Sequence, residues 1–251
     1  MVFFGITDVG MVRSTNQDNF VVCKYSNDTL FAVVCDGMGG VNGGNIASSL
    51  AASAFCGKIT SYETDNSAFI GFSDHDFEMM FKEGVDTANR AIYEKAENDY
   101  SLRGMGTTLV SCIIAGDCGH AVNVGDSRLY LISEDGIEQI TRDHSYVQRL
   151  VDMGVLTAEE AKASTKKNII TRAVGSEKTV EADVFSFKVI PGQKVLLCSD
   201  GLTNMVSDEE IFRITSSVVS GEDAQAACEK LVELANENGG KDNITAVILA
   251  I

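Results

Sequence analysis

The sequence predicts an α+β fold in which antiparallel sheets are covered by a few long helices. Three observations point to it. Short apolar runs rich in Val, Ile, Leu and Phe recur at strand length along the whole chain. Three longer stretches carry apolar residues at helical spacing. Most strands are separated by short turns rather than by regular helices, which argues against a doubly wound parallel sheet.

In chain order, strands are expected at 3–7, 19–25 and 30–35. A helix follows at 43–58, rich in Ala and Ser, with Ile46, Leu50, Ala54 and Phe55 roughly on one face. A second helix covers 75–97, where Phe77, Phe81, Val85, Ala88 and Ile92 fall three and four apart. Strands are expected at 107–115, 120–124 and 128–132, with Glu134-Asp135-Gly136 as a hairpin turn between LYLIS and IEQIT. Residues 143–175 stand apart: two short helical patterns near 145–153 and 158–164, then the polar ASTKKN, read as a flap inserted between strands. Strands at 184–190 and 194–198 come next. A helix at 222–238, with Ala227, Leu231 and Leu234, stops at Gly239-Gly240, and a last strand covers 244–250. No linker, repeat or composition shift divides the 251 residues, so one domain over 1–251 is expected.

Composition narrows the class. About 45% of residues are hydrophobic, with one proline and 23 glycines, which is globular rather than disordered. A chain this long buries about three quarters of its unfolded surface and needs no disulfide or structural metal. The net charge of −16, from 36 acidic and 20 basic residues, argues against nucleic acid or an anionic membrane as partner. The seven cysteines are scattered, mostly in apolar runs, and none has CxxC spacing, which speaks for a reducing, cytoplasmic setting and against zinc. MVFFGITDVG has no positive leader, and no run approaches the ~18 apolar residues of a membrane helix.

The informative feature is an apolar strand that runs out onto an aspartate beside a small or turn-forming residue. FAVVCDGMGG ends so on Asp36, HAVNVGDSR on Asp126 and KVLLCSDGL on Asp200. In GGKDNITAV, Asp242 precedes a strand, and in RSTNQDNFVV, Asp18 does. Any one of these is ordinarily a turn, as Asp135-Gly136 is. Together, carboxylates converging at one pole of a sheet repel strongly at low dielectric and persist only if cations neutralise them. No His or Cys belongs to the set, so the ligands are all oxygen, the chemistry of Mg²⁺ or Mn²⁺. Two such ions activate water and polarise a phosphoryl group. Glycines beside Asp36, Gly37 first among them, allow close backbone approach and leave a carbonyl available.

At this point the chain resembles the metal-dependent protein phosphatases of type 2C, in their minimal bacterial form. Eight motifs occur in the family's order: TDVGMVRSTNQDNF at 7–20, FAVVCDGMGG at 31–40, GMGTTL at 104–109, VNVGDSRLYLI at 122–132, ITRDHSYVQRLVDMG at 140–154, NIITRAVG at 168–175, LLCSDGLTNMVSDEEI at 196–211 and GGKDNITAVIL at 239–249. The resemblance implies a four-layer αββα sandwich with the metal site at one edge. It implies that Asp36 bridges two metals, that the Gly37 carbonyl binds one, and that Asp200 and Asp242 complete the other site. It places Asp18 near metal-held water, Asp126 with Asp200 on a third, weaker ion, and Arg13 on the substrate phosphate as a bidentate fork. Arg13, Asp36 and Asp200 would then carry a direct attack of hydroxide on phosphoserine or phosphothreonine, with no phosphoenzyme. Phosphorylated proteins are the implied substrates, serine/threonine kinases the opposing enzymes, and a monomer the implied state.

One position departs from the pattern, and the reading of the flap stays open. Eukaryotic members often carry a histidine after Asp-Gly, a proposed general acid; here Met38 stands there. His144 in RDHSY is the nearest candidate by type, against the blander reading of a structural residue at the base of the flap. In the flap stretch 155–168, Lys166 and Lys167 face the choice between meeting an acidic phosphopeptide and lining a solvated loop. A metabolite phosphatase of the same fold and a binding-only pseudo-phosphatase are the alternatives, and the latter predicts a lost ligand that this sequence does not show.

Overall fold

Strand alternation sorts the apolar residues into three layers of core, and those layers define the architecture. The computed structural model describes residues 1–26, 29–62, 69 and 71–251. The strands are β1 (Val2–Asp8), β2 (Asp18–Ser26), β3 (Thr29–Met38), β4 (Gly106–Thr107), β5 (Leu109–Ala115), β6 (Cys118–Val124), β7 (Arg128–Ser133), β8 (Gly136–Gln139), β9 (Asp183–Lys188), β10 (Lys194–Cys198) and β11 (Ile244–Ala250). The helices are α1 (Gly40–Thr60), α2 (Asp74–Asn98), α3 (Tyr146–Asp152), α4 (Ala158–Ala163), α5 (Asp200–Thr203), α6 (Asp208–Thr215) and α7 (Gly221–Glu237).

Among the described residues, one sheet runs β1-β11-β10-β7-β8 and the other β2-β3-β5-β6-β9, with β4 added to β3. Every pairing is antiparallel. Along β3, Leu30, Ala32 and Val34 pack between the sheets against Val195, Leu197, Val247 and Leu249. The alternate residues Phe31, Val33 and Cys35 pack outward on α1 and α2. The other sheet does the same, with Leu196, Cys198, Ala246 and Ile248 turned toward α7 and its neighbours. The result is the αββα sandwich. Each fully buried Val, Leu, Ile or Phe contributes about 1.5–3 kcal/mol.

The helices begin where side chains satisfy the free N–H groups of the first turn. Ser73 with Asp76, Thr157 with Glu160, Ser207 with Glu210 and Ser220 with Asp223 form reciprocal capping boxes for α2, α4, α6 and α7. On α1 the fully buried stripe is Ala47, Ala51, Ala52, Phe55 and Ile59. Ile46, Leu50 and Ala54, expected there with Phe55, are half-buried at its border. Small residues face the sheet because they let the helix lie close to it.

Most strand boundaries move by a residue or two, and three of the differences are structural. The strand at 30–35 runs on through Asp36 to Met38. The strand at 107–115 is split at Thr108, whose N–H donates to Asp36 O and whose hydroxyl accepts from Asp36 N, both at 2.9 Å. The strand expected at 184–190 ends at Lys188. Helices α5 and α6 are additional, and β8 is the second arm of the expected hairpin. Among the described residues no helix is long and apolar enough to cross a membrane.

Candidate active site

Antiparallel order decides which strand ends meet. The C-terminal end of β3 lies beside the N-terminal end of β2, with Asp36 directly opposite Asp18. The same end of that sheet holds the start of β5 and the finish of β6, after which comes Asp126. In the other sheet, β10 finishes beside the start of β11, so Asp200, which opens α5, stands near Asp242. A cleft of about 500 Å³ opens at this edge, lined by Arg13, Asp36, Gly37, Asp126, Asp200 and Asp242. Six of the seven residues singled out from sequence therefore line one cleft. The seventh, Asp18, does not line it but stands opposite Asp36 in the β2–β3 ladder, 8% exposed.

Close backbone approach makes the convergence possible. A Cβ on Gly37 would stand 2.0 Å from Gly44 O, and a Cβ on Gly201 would stand 2.0 Å from Asn243 O. Gly201 thus lets α5 abut the segment before β11, which brings Asp200 to Asp242.

Each carboxylate has its own support. Asp18 Oδ2 accepts from Ser199 Oγ at 2.7 Å and Thr245 Oγ1 at 2.6 Å. Because the Thr245 hydroxyl gives its proton to Asp18, it receives one from Thr7 Oγ1 at 2.8 Å, and Thr7 in turn accepts from Asn16 Nδ2 at 2.9 Å. Asp36 is held through its backbone, by the two Thr108 bonds and by Thr107 Oγ1 donating to its carbonyl at 2.8 Å. Asn204 Nδ2 donates to Asp200 Oδ2 at 2.9 Å. The remaining oxygens, Asp18 Oδ1 and Asp200 Oδ1, are buried without a hydrogen-bond partner.

Electrostatics record the crowding. Burial, then the negative charge of Asp18, Asp200, Asp126 and Asp242, pushes the Asp36 carboxyl well above its usual range. Burial pushes Asp126 up to about 8, with Asp200 and Asp143 adding repulsion. Burial raises Asp200 to about 6, reinforced by Asp242. It also raises Asp18 to about 6, where the Thr245 and Ser199 hydrogen bonds partly offset it. Among the described residues no three His, Cys, Asp or Glu side chains form a ready-made metal cage as they stand.

Arg13 Nη2 donates to Asp242 Oδ2 at 2.8 Å, with its side chain half exposed. Its loop is tied to the Asp242 segment by the buried Asn243. The Asn243 amide donates to Val9 O at 2.9 Å and Thr15 O at 3.0 Å and accepts from Gln17 N at 2.8 Å. Sequence reasoning passed over Asn243, as it did Thr108, Ser199, Asn204 and Thr245. The signal for several of them was adjacency: each of Ser199 and Asn243 sits next to a flagged aspartate.

Met38 lines the cleft and carries no transferable proton. His144 does not fill that gap. It is buried with both ring nitrogens engaged: Gly125 N–H donates to Nδ1 at 3.1 Å, and Nε2 lies 3.1 Å from Arg172 Nη1 and 3.2 Å from Asp183 Oδ2. Burial keeps it below the usual histidine range, and the structural reading holds.

Comparison with known proteins supplies the family. A sequence profile described as "Protein phosphatase 2C" matches residues 12–237. The serine/threonine phosphatase stp of Listeria innocua is 35% identical over 97% of this chain and 93% of its own length. The crystal structure of Stp1 from Staphylococcus aureus superposes with a TM-score of 0.89 at 33% identity, covering 100% of this chain and 95% of that one. The catalytic domain of the serine/threonine phosphatase PstP, solved with two manganese ions, superposes with a TM-score of 0.80 at 33% identity over 98% of this chain and 96% of that one. With a profile match over most of its length and relatives of this identity along nearly all of it, the chain belongs to the protein phosphatase 2C family.

Proposed function

We propose that this protein hydrolyses phosphoserine and phosphothreonine in other proteins, with divalent cations held by the aspartate cluster. The observation that carries the reading is the pair of buried, unpartnered oxygens, Asp18 Oδ1 and Asp200 Oδ1, at the centre of mutually repelling carboxylates. Buried carboxylate oxygens without a donor are costly, and a hard cation is the partner that fits an all-oxygen set. In this reading Asp36, the Gly37 carbonyl, Asp200 and Asp242 would hold two ions, with Asp18 close by, and Asp126 with Asp200 would hold a third. Mg²⁺ and Mn²⁺ both suit such donors. The likeness to a phosphatase solved with two manganese ions supports the two-ion part. When bound, the cations supply Lewis acidity, drawing the pKa of water toward neutrality and offsetting charge on the phosphoryl oxygens.

The chain's own residues do the rest. Arg13 stands at the cleft wall with a planar fork suited to two phosphate oxygens. Asn243 keeps its loop in register with Asp242. Thr107 and Thr108 fix the Asp36 backbone at the edge of the cleft. Met38 offers no proton and His144 is held away from the cleft, so the leaving oxygen takes its proton from water or another group. Residues 143–175 act as a flap beside the cleft on a single catalytic domain, and serine/threonine kinases are the opposing enzymes. The relatives named as serine/threonine phosphatases support the substrate class. A monomer working in the cytoplasm completes the proposal.

The test is phosphate release from a phosphothreonine peptide with Mn²⁺, with Mg²⁺ and with excess chelator, for wild type and Asp200→Asn. Turnover is expected to require metal and to fall at least about 100-fold in the variant, a loss typical of removing a group that acts on transition-state charge. Turnover that survives chelation, or that survives Asp200→Asn, would contradict the site.

A further inference from the structure

A second groove, of about 540 Å³, runs from the cleft between the α3–α4 segment and the α5–α6 segment. It is continuous with the cleft, since Asp126, Asp200 and Asn168 line both. Its walls carry several charges, and nearly all are already matched. Arg128 grips Asp143 through Nε and Nη2, the shortest bond 2.7 Å. Asp208 accepts from Tyr130 OH at 3.0 Å and from Lys162 Nζ at 3.1 Å. Glu210 caps α6 through Ser207. Apart from the aspartates shared with the cleft and Glu210, which Ser207 holds as a helix cap, the charge without a partner is Lys167. It lines the groove one residue from Asn168, and among the described residues no carboxylate or ring engages its ammonium. Its neighbour Lys166 differs, lying 5.5 Å over the ring of Tyr146.

We propose that this groove receives the polypeptide flanking the phosphorylated residue and that Lys167 selects an acidic side chain there. The proposal rests on the phosphatase reading above and names the substrate feature that the site distinguishes. Charge complementarity carries it. A molecule of net charge −16 repels an acidic peptide at long range, so any preference for one must come from a local, unmatched cation beside the cleft. Continuity fixes the occupant as the same chain whose phosphate sits in the cleft, because Asn168 borders both spaces.

The test uses the metal-loaded wild type, Lys167→Ala and Lys167→Glu. The substrates are p-nitrophenyl phosphate and two phosphothreonine peptides that differ only in acidic or basic flanking residues. Wild type is expected to favour the acidic peptide in kcat/KM. Lys167→Glu is expected to lower kcat/KM for that peptide about fivefold and to raise it for the basic one, the size of a partly exposed charge pair. Lys167→Ala should fall between, p-nitrophenyl phosphate turnover should stay within about twofold, and about 0.5 M salt should erase the wild-type preference. An acidic-to-basic ratio that is the same in all three proteins overturns the proposal. So does an equal loss on all three substrates, which makes Lys167 a support of the site rather than a reader of the flank. A wild type that leaves p-nitrophenyl phosphate and both peptides intact with either metal overturns the phosphatase reading itself.

Discussion

Asp18 and Asp36 face each other across the β2–β3 ladder, where like charges directly opposite are unfavourable. Around them, small polar residues set positions that the carboxylates alone would not hold. Asn243 is the most connected: its amide replaces three backbone hydrogen bonds that the β1–β2 loop lacks. Asn243→Ala leaves two carbonyls and one N–H without that partner, and urea denaturation is expected to show a loss of about 2–4 kcal/mol. KM for a phosphopeptide should rise as well, because Arg13 loses its fixed loop. A variant as stable as wild type, with unchanged KM, would remove Asn243 from this role. The aspartates were legible in the sequence because one pattern, a strand running out onto Asp, repeats in them. Their supports were not. Ser199 meets Asp18 across 181 residues of chain, and a register of that kind is set by sheet order rather than by anything local.

Elements explain both the accuracy and the gaps of the sequence reading. Most strands were legible because apolar runs bounded by turn residues leave little choice. Both faces of each sheet are covered, so Leu30–Cys35 of β3 and Ala246–Ala250 of β11 are apolar throughout rather than alternating as in a half-exposed strand. Sheet type therefore came from the short connections. Helices α5 and α6 are too short for a periodic signal, and the Ser207–Glu210 spacing that starts the second went unread. The split at Thr108 was hidden because a polar side chain, not a breaker residue, ends the ladder there. Two predictions belong to this scale. Ser220→Ala removes the cap of α7 and should cost about 1 kcal/mol by denaturant unfolding, with turnover unaffected; no change in stability would show the cap to be idle. Gly201→Ala drives a Cβ against Asn243 O and should separate Asp200 from Asp242, so metal affinity measured by titration should fall before the fold does. Unaltered affinity would mean that this close approach does not set the site.

For the whole molecule, the fold concentrates charge at one sheet edge and leaves pH to reveal it. Asp18, Asp126 and Asp200 have folded-state pKa values raised from 3.8 to about 6, 8 and 6. A carboxyl raised in the folded state favours folding below its unfolded pKa, and that stability is lost as pH rises through the folded value. The chelated protein should therefore lose thermal stability between about pH 4 and 8, with Tm falling on the order of 5–10 °C. Asp126→Asn should flatten the upper part of that slope. Added Mn²⁺ should restore more stability at pH 8 than at pH 5. A chelated protein whose Tm climbs steadily to pH 8 would oppose this account. The central claim, that the aspartate edge exists to hold cations, is tested most directly by calorimetric titration of Mn²⁺ into the chelator-stripped protein. Wild type is predicted to take up at least two ions per chain, and Asp36→Asn, though folded, to lose that uptake. Equal binding by both proteins, or no binding by the wild type, would contradict it.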